Sequence, residues 1–313
     1  MRTMRFIVMF LVAVPLTVLA QAPGPKKAKT IDELAAMFDS ARCKQCHAEI
    51  YGQWEKSHHA RPLMGVADGL MLTPVVKSSA FQVKSPKDAT LRTFPCFKCH
   101  LPQAAAYAED SLAVELTQAL FTASDKDAPD KDKAAARAKV AKLQITCIVC
   151  HNEMAITHKL TLGSPEKDVI YGSKDMATHG NPSEKVFTKV KKSAILSQAV
   201  FCGQCHGTGP NYEFDYPVQC ATLYGSYQHN YLSKGGFQTC QECHMKKVGG
   251  IADHLFPPNW NDKASTSKML SESISLDVQT LGYQSLRKAG ALTPMIVVNT
   301  KISNTAGHRI PDG

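Results

Sequence analysis

The chain has 313 residues, enough for one or two domains, and a formal net charge of +9. Ten of its 11 cysteines fall into five copies of Cys-x-x-Cys-His, a regularity that excludes an ordinary disulfide scaffold. The basic balance points by itself to nucleic acid or acidic membrane, a reading that weakens once the cofactor of those motifs is counted.

In chain order, Met1-Arg-Thr-Met-Arg5 precedes an apolar run from Phe6 to Ala20, followed at once by small residues. This is the layout of a secretory signal, too short to span a membrane, with cleavage expected after Ala20 or Ala22. We therefore read 1–22 as signal peptide and 23–42 as a linker with a lead helix. Localisation follows: secreted across the inner membrane, to the periplasm or cell exterior, with no membrane span once the signal is removed.

The five motifs are Cys43-Lys-Gln-Cys46-His47, Cys96-Phe-Lys-Cys99-His100, Cys147-Ile-Val-Cys150-His151, Cys202-Gly-Gln-Cys205-His206 and Cys240-Gln-Glu-Cys243-His244. Cysteines three apart on a helical turn share a face, so both thiols can add to the vinyl groups of one haem while the next residue, His, turns to its iron. A zinc site would need four ligands from two motifs and gives the fifth position no role. The cofactor expectation is five covalently bound haem c groups. Their propionates and ferric cores lower the net charge by about five units, and nucleic acid drops out as a partner. First cysteines are 53, 51, 55 and 38 residues apart, so each haem is served by little protein. Porphyrin is expected to supply most of the buried apolar area, with the haem-free polypeptide largely unfolded.

Twelve histidines less the five in the motifs leave His58, His59, His158, His179, His229, His254 and His308. These suffice for a second histidine on every iron, which favours low-potential electron transfer over an open coordination site; the 11 methionines leave Met ligation open at some sites. His158 follows His151 too closely to reach round the same porphyrin, and so is expected on a neighbouring haem. His58 and His229 are as readily ordinary structural residues.

The chain resembles multihaem c-type cytochromes related to the tetrahaem electron acceptor of hydroxylamine oxidoreductase and to extracellular cytochromes of metal-reducing bacteria. Trp54-Glu-Lys-Ser57-His58-His59-Ala60 is similar to that family's Trp-x-x-Ser-x-His-Ala, which implies His59 as a distal ligand. Tyr171-Gly172 to His179-Gly180 implies His179, Asp253-His254-Leu-Phe256-Pro257 implies His254, and Asn304-Thr-Ala-Gly307-His308-Arg-Ile-Pro311-Asp-Gly313 implies His308. With His158 these complete the expected distal set. The likeness runs from about residue 43 to the end, and only the motif-adjacent residues carry it.

Ala104–Ala119 and Lys133–Leu143 are rich in helix formers, separated by the charged run Ser124–Lys131, and Ser183–Val200 reads as a helical lead into the fourth motif. From about residue 270 the pattern changes. Ile274, Leu276 and Val278, then Val298, Thr300 and Ile302, alternate with polar residues as strands do. The expected fold is a mainly α and irregular multihaem domain over 43–262 with little regular sheet, then a small β domain over 263–313. In the resembled family further strands follow, so this β domain reads as incomplete. Cys220, the odd cysteine, is expected as a buried free thiol, with an intersubunit link as the alternative.

The leading expectation is an electron carrier between redox proteins: a membrane quinol-oxidising complex, other cytochromes, or extracellular acceptors. A second is an oxidoreductase acting on a small nitrogen or sulfur oxyanion at one five-coordinate haem; the Lys that marks the catalytic haem of pentahaem nitrite reductases is absent from all five motifs. A third is self-association into a conducting filament.

Overall fold

The computed structural model describes residues 26–64, 85–93, 97–156, 165–180, 183, 186–207, 222–259, 262–288 and 290–310. Three short helices open it: α1 (Ile31–Met37), α2 (Ala41–Lys44) and α3 (Ala48–Glu55). Thr30 caps α1 by accepting from the Glu33 amide at 3.2 Å, relieving one of the unpaired amides at a helix start.

Next come α4 (Phe97–His100), α5 (Pro102–Tyr107), α6 (Asp110–Ser124) and α7 (Asp130–Val140). In α6, Leu112, Leu116, Leu120 and Ala123 recur at three- and four-residue intervals and form one buried face. Ala136 and Val140 of α7 close on that face, with Ile31, Leu34 and Phe38 from the α1 region and Leu63, Leu101, Leu143 and Val149 around it. The helix-former run from Ala104 breaks at Ala108, which is extended and bridges to Ala28: the Ala28 amide donates to Tyr107 O at 2.7 Å and the Glu109 amide to Ala28 O at 2.9 Å. The charged linker is shorter than the sequence suggests, because α7 already begins at Asp130.

Ser183–Val200 is not a helix. Its described part holds strand β2 (Lys189–Lys192), which pairs in parallel with β1 (Val169–Gly172), then a 3-10 turn over Ala194–Ser197, before α8 (Ala199–Gly203) carries the fourth motif. Val190 is buried and aligned with Ile170 of β1, Val169 and Tyr171 are buried on the opposite face, and of the flanking lysines Lys189 is exposed and Lys191 half-buried. Alternation about Val190, a strand period, overrides the helix-forming lysines.

After α9 (Leu223–Asn230) and α10 (Cys240–His244) comes a minimal hairpin of β3 (Lys247–Val248) and β4 (Ile251–Ala252). Helix α11 (Lys263–Ser273) leads into a long antiparallel ribbon, β5 (Ile274–Lys288) against β6 (Ala291–Asn304). On one face of this ribbon lie Leu276, Val278, Ile296, Val298 and Ile302, all more than half exposed. No helix among the described residues is long and apolar enough to cross a membrane.

Candidate functional site

Each Cys-x-x-Cys-His motif with described residues sits on a short helical turn: α2 and its C-terminal end for the first, α4 for the second, the π-helical turn Val149–Glu153 for the third, α8 for the fourth and α10 for the fifth. In α10, Thr239 accepts from the Glu242 amide while Glu242 accepts from the Thr239 amide, a reciprocal cap that fixes this turn and the direction of His244.

Four motif histidines each face a histidine from elsewhere in the chain. His47 faces His179 with ring centres 6.1 Å apart and planes 17° from parallel; His151 faces His254 at 6.3 Å and 26°; His244 faces His308 at 6.2 Å and 20°. His206 faces His59 at 6.3 Å, with the planes crossed at 79°. A metal–imidazole bond is about 2.0 Å and the ring centre lies about 1.1 Å beyond the nitrogen, so two imidazoles trans on one ion stand about 6.2 Å apart. Each pair thus has the spacing that one intervening metal ion requires. Rings in direct contact also stand about 4.5–7 Å apart, so this separation fits an intervening ion without demanding one. Among the described residues no group of three or more His, Cys, Asp and Glu side chains stands together as a site for a bare ion.

Backbone carbonyls orient most of these rings. Nδ1 lies 2.9 Å from Tyr171 O in His151, 2.7 Å from Phe187 O in His179, 2.8 Å from Ala252 O in His254, 2.8 Å from Arg309 O in His308 and 2.6 Å from Pro62 O in His100; in His244 it meets Pro257 O. A carbonyl can only accept, so Nδ1 carries the hydrogen and Nε2 keeps its lone pair for a metal. β1 supplies one of these acceptors, and Asn152 ties it down by donating to Val169 O at 2.7 Å.

Those hydrogen bonds favour the protonated ring, and burial opposes them with the larger effect at His100, His151, His244 and His254. Burial pushes His59 down to about 4 and lowers His100, His151, His206, His244 and His254 from their ordinary value, with neighbouring imidazoles adding to the effect at His59, His151, His206 and His244. These rings are neutral at pH 7, the form that binds a metal ion.

The motifs also touch one another. The thiols of Cys43 and Cys147 share a hydrogen bond, which draws Cys147 down to about 7 and raises Cys43; Cys202 and Cys240 share another. The Cys99 thiol lies 3.5 Å from Cys205 O. The first and third motifs are therefore neighbours, and the fourth touches both the second and the fifth.

Distant segments place the non-motif histidines. The His254 amide donates to Gln53 Oε1 at 2.9 Å, and Asn259 donates to Lys56 O at 2.7 Å, pinning the 254–259 loop to α3. The Arg309 amide donates to Ser226 Oγ at 2.9 Å, and Asn304 donates to His308 O at 2.9 Å, holding His308 against α9. His158, Cys96 and Cys220 lie outside the described residues. His229 is exposed on α9 and pairs with no other histidine among the described residues. Sequence reasoning missed Phe256, whose ring packs edge-on against His59 at 4.5 Å and also meets His254 at 5.8 Å. Its place between His254 and Pro257 was the available signal. Comparison with family models, with curated proteins and with solved structures finds no match to this chain.

Proposed function

We propose that the chain is an exported c-type cytochrome that carries five covalent haems and moves electrons between redox partners. One observation carries the reading: four motif histidines each face a non-motif histidine at the separation of two axial ligands on one iron. In this reading the motif cysteines hold the porphyrins by thioether bonds. His47 with His179, His151 with His254, His206 with His59 and His244 with His308 supply the axial nitrogens. Bound haem contributes reversible one-electron chemistry. The protein's part is to keep the imidazoles aimed, to fill both axial positions so that no substrate competes, and to hold the motifs in contact.

The sixth ligand opposite His100 is the open assignment, because His158, the remaining candidate, lies outside the described residues. Adding carbon monoxide to the reduced holoprotein decides it. No change in the Soret band is the expected result for a carrier with five firmly six-coordinate haems. A shift of about one haem in five would favour the oxidoreductase reading, with the haem at His100 as its site. A shift of several haems would overturn the axial assignments.

A further inference from the structure

We infer that the haem held by His206 and His59 is the highest-potential member of the set, the centre on which the first electron settles. The inference rests on the haem reading above. Three independent features single this pair out.

The first is hydrogen bonding. In the His151/His254 and His244/His308 pairs both rings donate Nδ1–H to a backbone carbonyl, and in the His47/His179 pair His179 does. In the His206/His59 pair neither ring has an acceptor among the described residues, and Nδ1 of His59 is buried without a partner. Donation from Nδ1 gives the ring imidazolate character, which strengthens Nε2 as a donor and stabilises ferric iron. Two rings without that donation leave the ferric state less favoured.

The second is orientation. The planes cross at 79° here, against 17° to 26° in the other three pairs. Phe256 packs edge-on against His59, with ring centres 4.5 Å apart and planes at 84°. Crossed imidazoles cannot both donate into the same iron d orbital, so ferric iron gains less from them than from parallel ones.

The third is location. The fourth motif touches the second through Cys99 and the fifth through Cys240, and His206 interacts electrostatically with His100, His244 and His308. A haem there would have other haem sites as neighbours, and their positive ferric irons would disfavour its own ferric state, which carries one more positive charge. A haem held there would go from ferric to ferrous with one electron from an outside reductant, received directly or through a neighbouring haem.

Electron paramagnetic resonance during a reductive titration of the holoprotein with dithionite tests this. Crossed-plane ferric haems give a highly anisotropic low-spin signal with one very large g-value, whereas near-parallel haems give a rhombic signal. The large-g signal should vanish first, before the rhombic signals lose intensity. Phe256→Asn adds an amide carbonyl beside His59 at a residue whose φ of 52° asparagine tolerates; it should delay the loss of that signal alone. A large-g signal that is lost last or together with the rest, or its absence from a protein with five low-spin haems, overturns the inference while leaving the haem reading intact. Absence of haem altogether overturns both.

Discussion

At the scale of single residues the fold solves one problem repeatedly: it holds an imidazole neutral, with the correct nitrogen free. A carbonyl on Nδ1 fixes the tautomer of His100, His151, His179, His244, His254 and His308, and burial keeps His59, His100, His151, His206, His244 and His254 neutral. Removing one distal ring should open one iron. His179→Ala is expected to leave five haems attached and to make about one in five responsive to carbon monoxide, measured as a Soret difference spectrum. The pH dependence follows from burial. Histidines whose folded-state pKa is depressed take up protons on unfolding, so their contribution to stability is complete above about pH 6.5 and falls as the pH drops toward the folded value. For His59, pushed down to about 4 in the haem-free polypeptide, the loss amounts to about 3 kcal/mol over that interval. Urea unfolding midpoints of that polypeptide should accordingly be flat above pH 7 and fall steadily between pH 6.5 and 4. A midpoint that rises on acidification would contradict this account. The distal candidates were legible in the sequence as histidines outside the motifs. Their pairing was not, because His47 meets His179 and His59 meets His206 only through tertiary packing.

At the scale of elements, local chemistry decides how firmly each motif turn is held. The reciprocal cap between Thr239 and Glu242 sets the start of α10. Thr239→Ala should cost about 1 kcal/mol, read from the denaturation midpoint, and Thr239→Ser should recover most of it. The strands near 274–278 and 298–302 were legible because apolar and polar residues alternate there, and they extend into the full β5–β6 ribbon. β2 was misread as helix: its lysines are good helix formers, and only pairing with β1 reveals the strand. The break in the helical run at Ala108 was hidden for the same reason, since it comes from a bridge to Ala28.

At the scale of the whole molecule the apolar core is uneven. The sequence suggested that porphyrin supplies most of the buried apolar surface; the α1, α5, α6 and α7 region has an aliphatic core of its own, with Leu34, Leu112, Leu116, Leu120 and Val140 fully buried. Among the described residues beyond Val149 the buried apolar side chains are Ala155, Val169, Tyr171, Val190, Ala199 and Tyr227. Polypeptide made without haem attachment should therefore keep helical circular dichroism and protease resistance across about residues 28–149 and lose both beyond. Uniform digestion along the chain would contradict that division. The central claim is five covalent haems, and the intact mass of the purified, denatured protein tests it most directly. The account predicts the mass of the exported polypeptide plus five haems, retained after denaturation; a mass equal to the polypeptide alone, or lowered only by the hydrogens lost to disulfides, would contradict it.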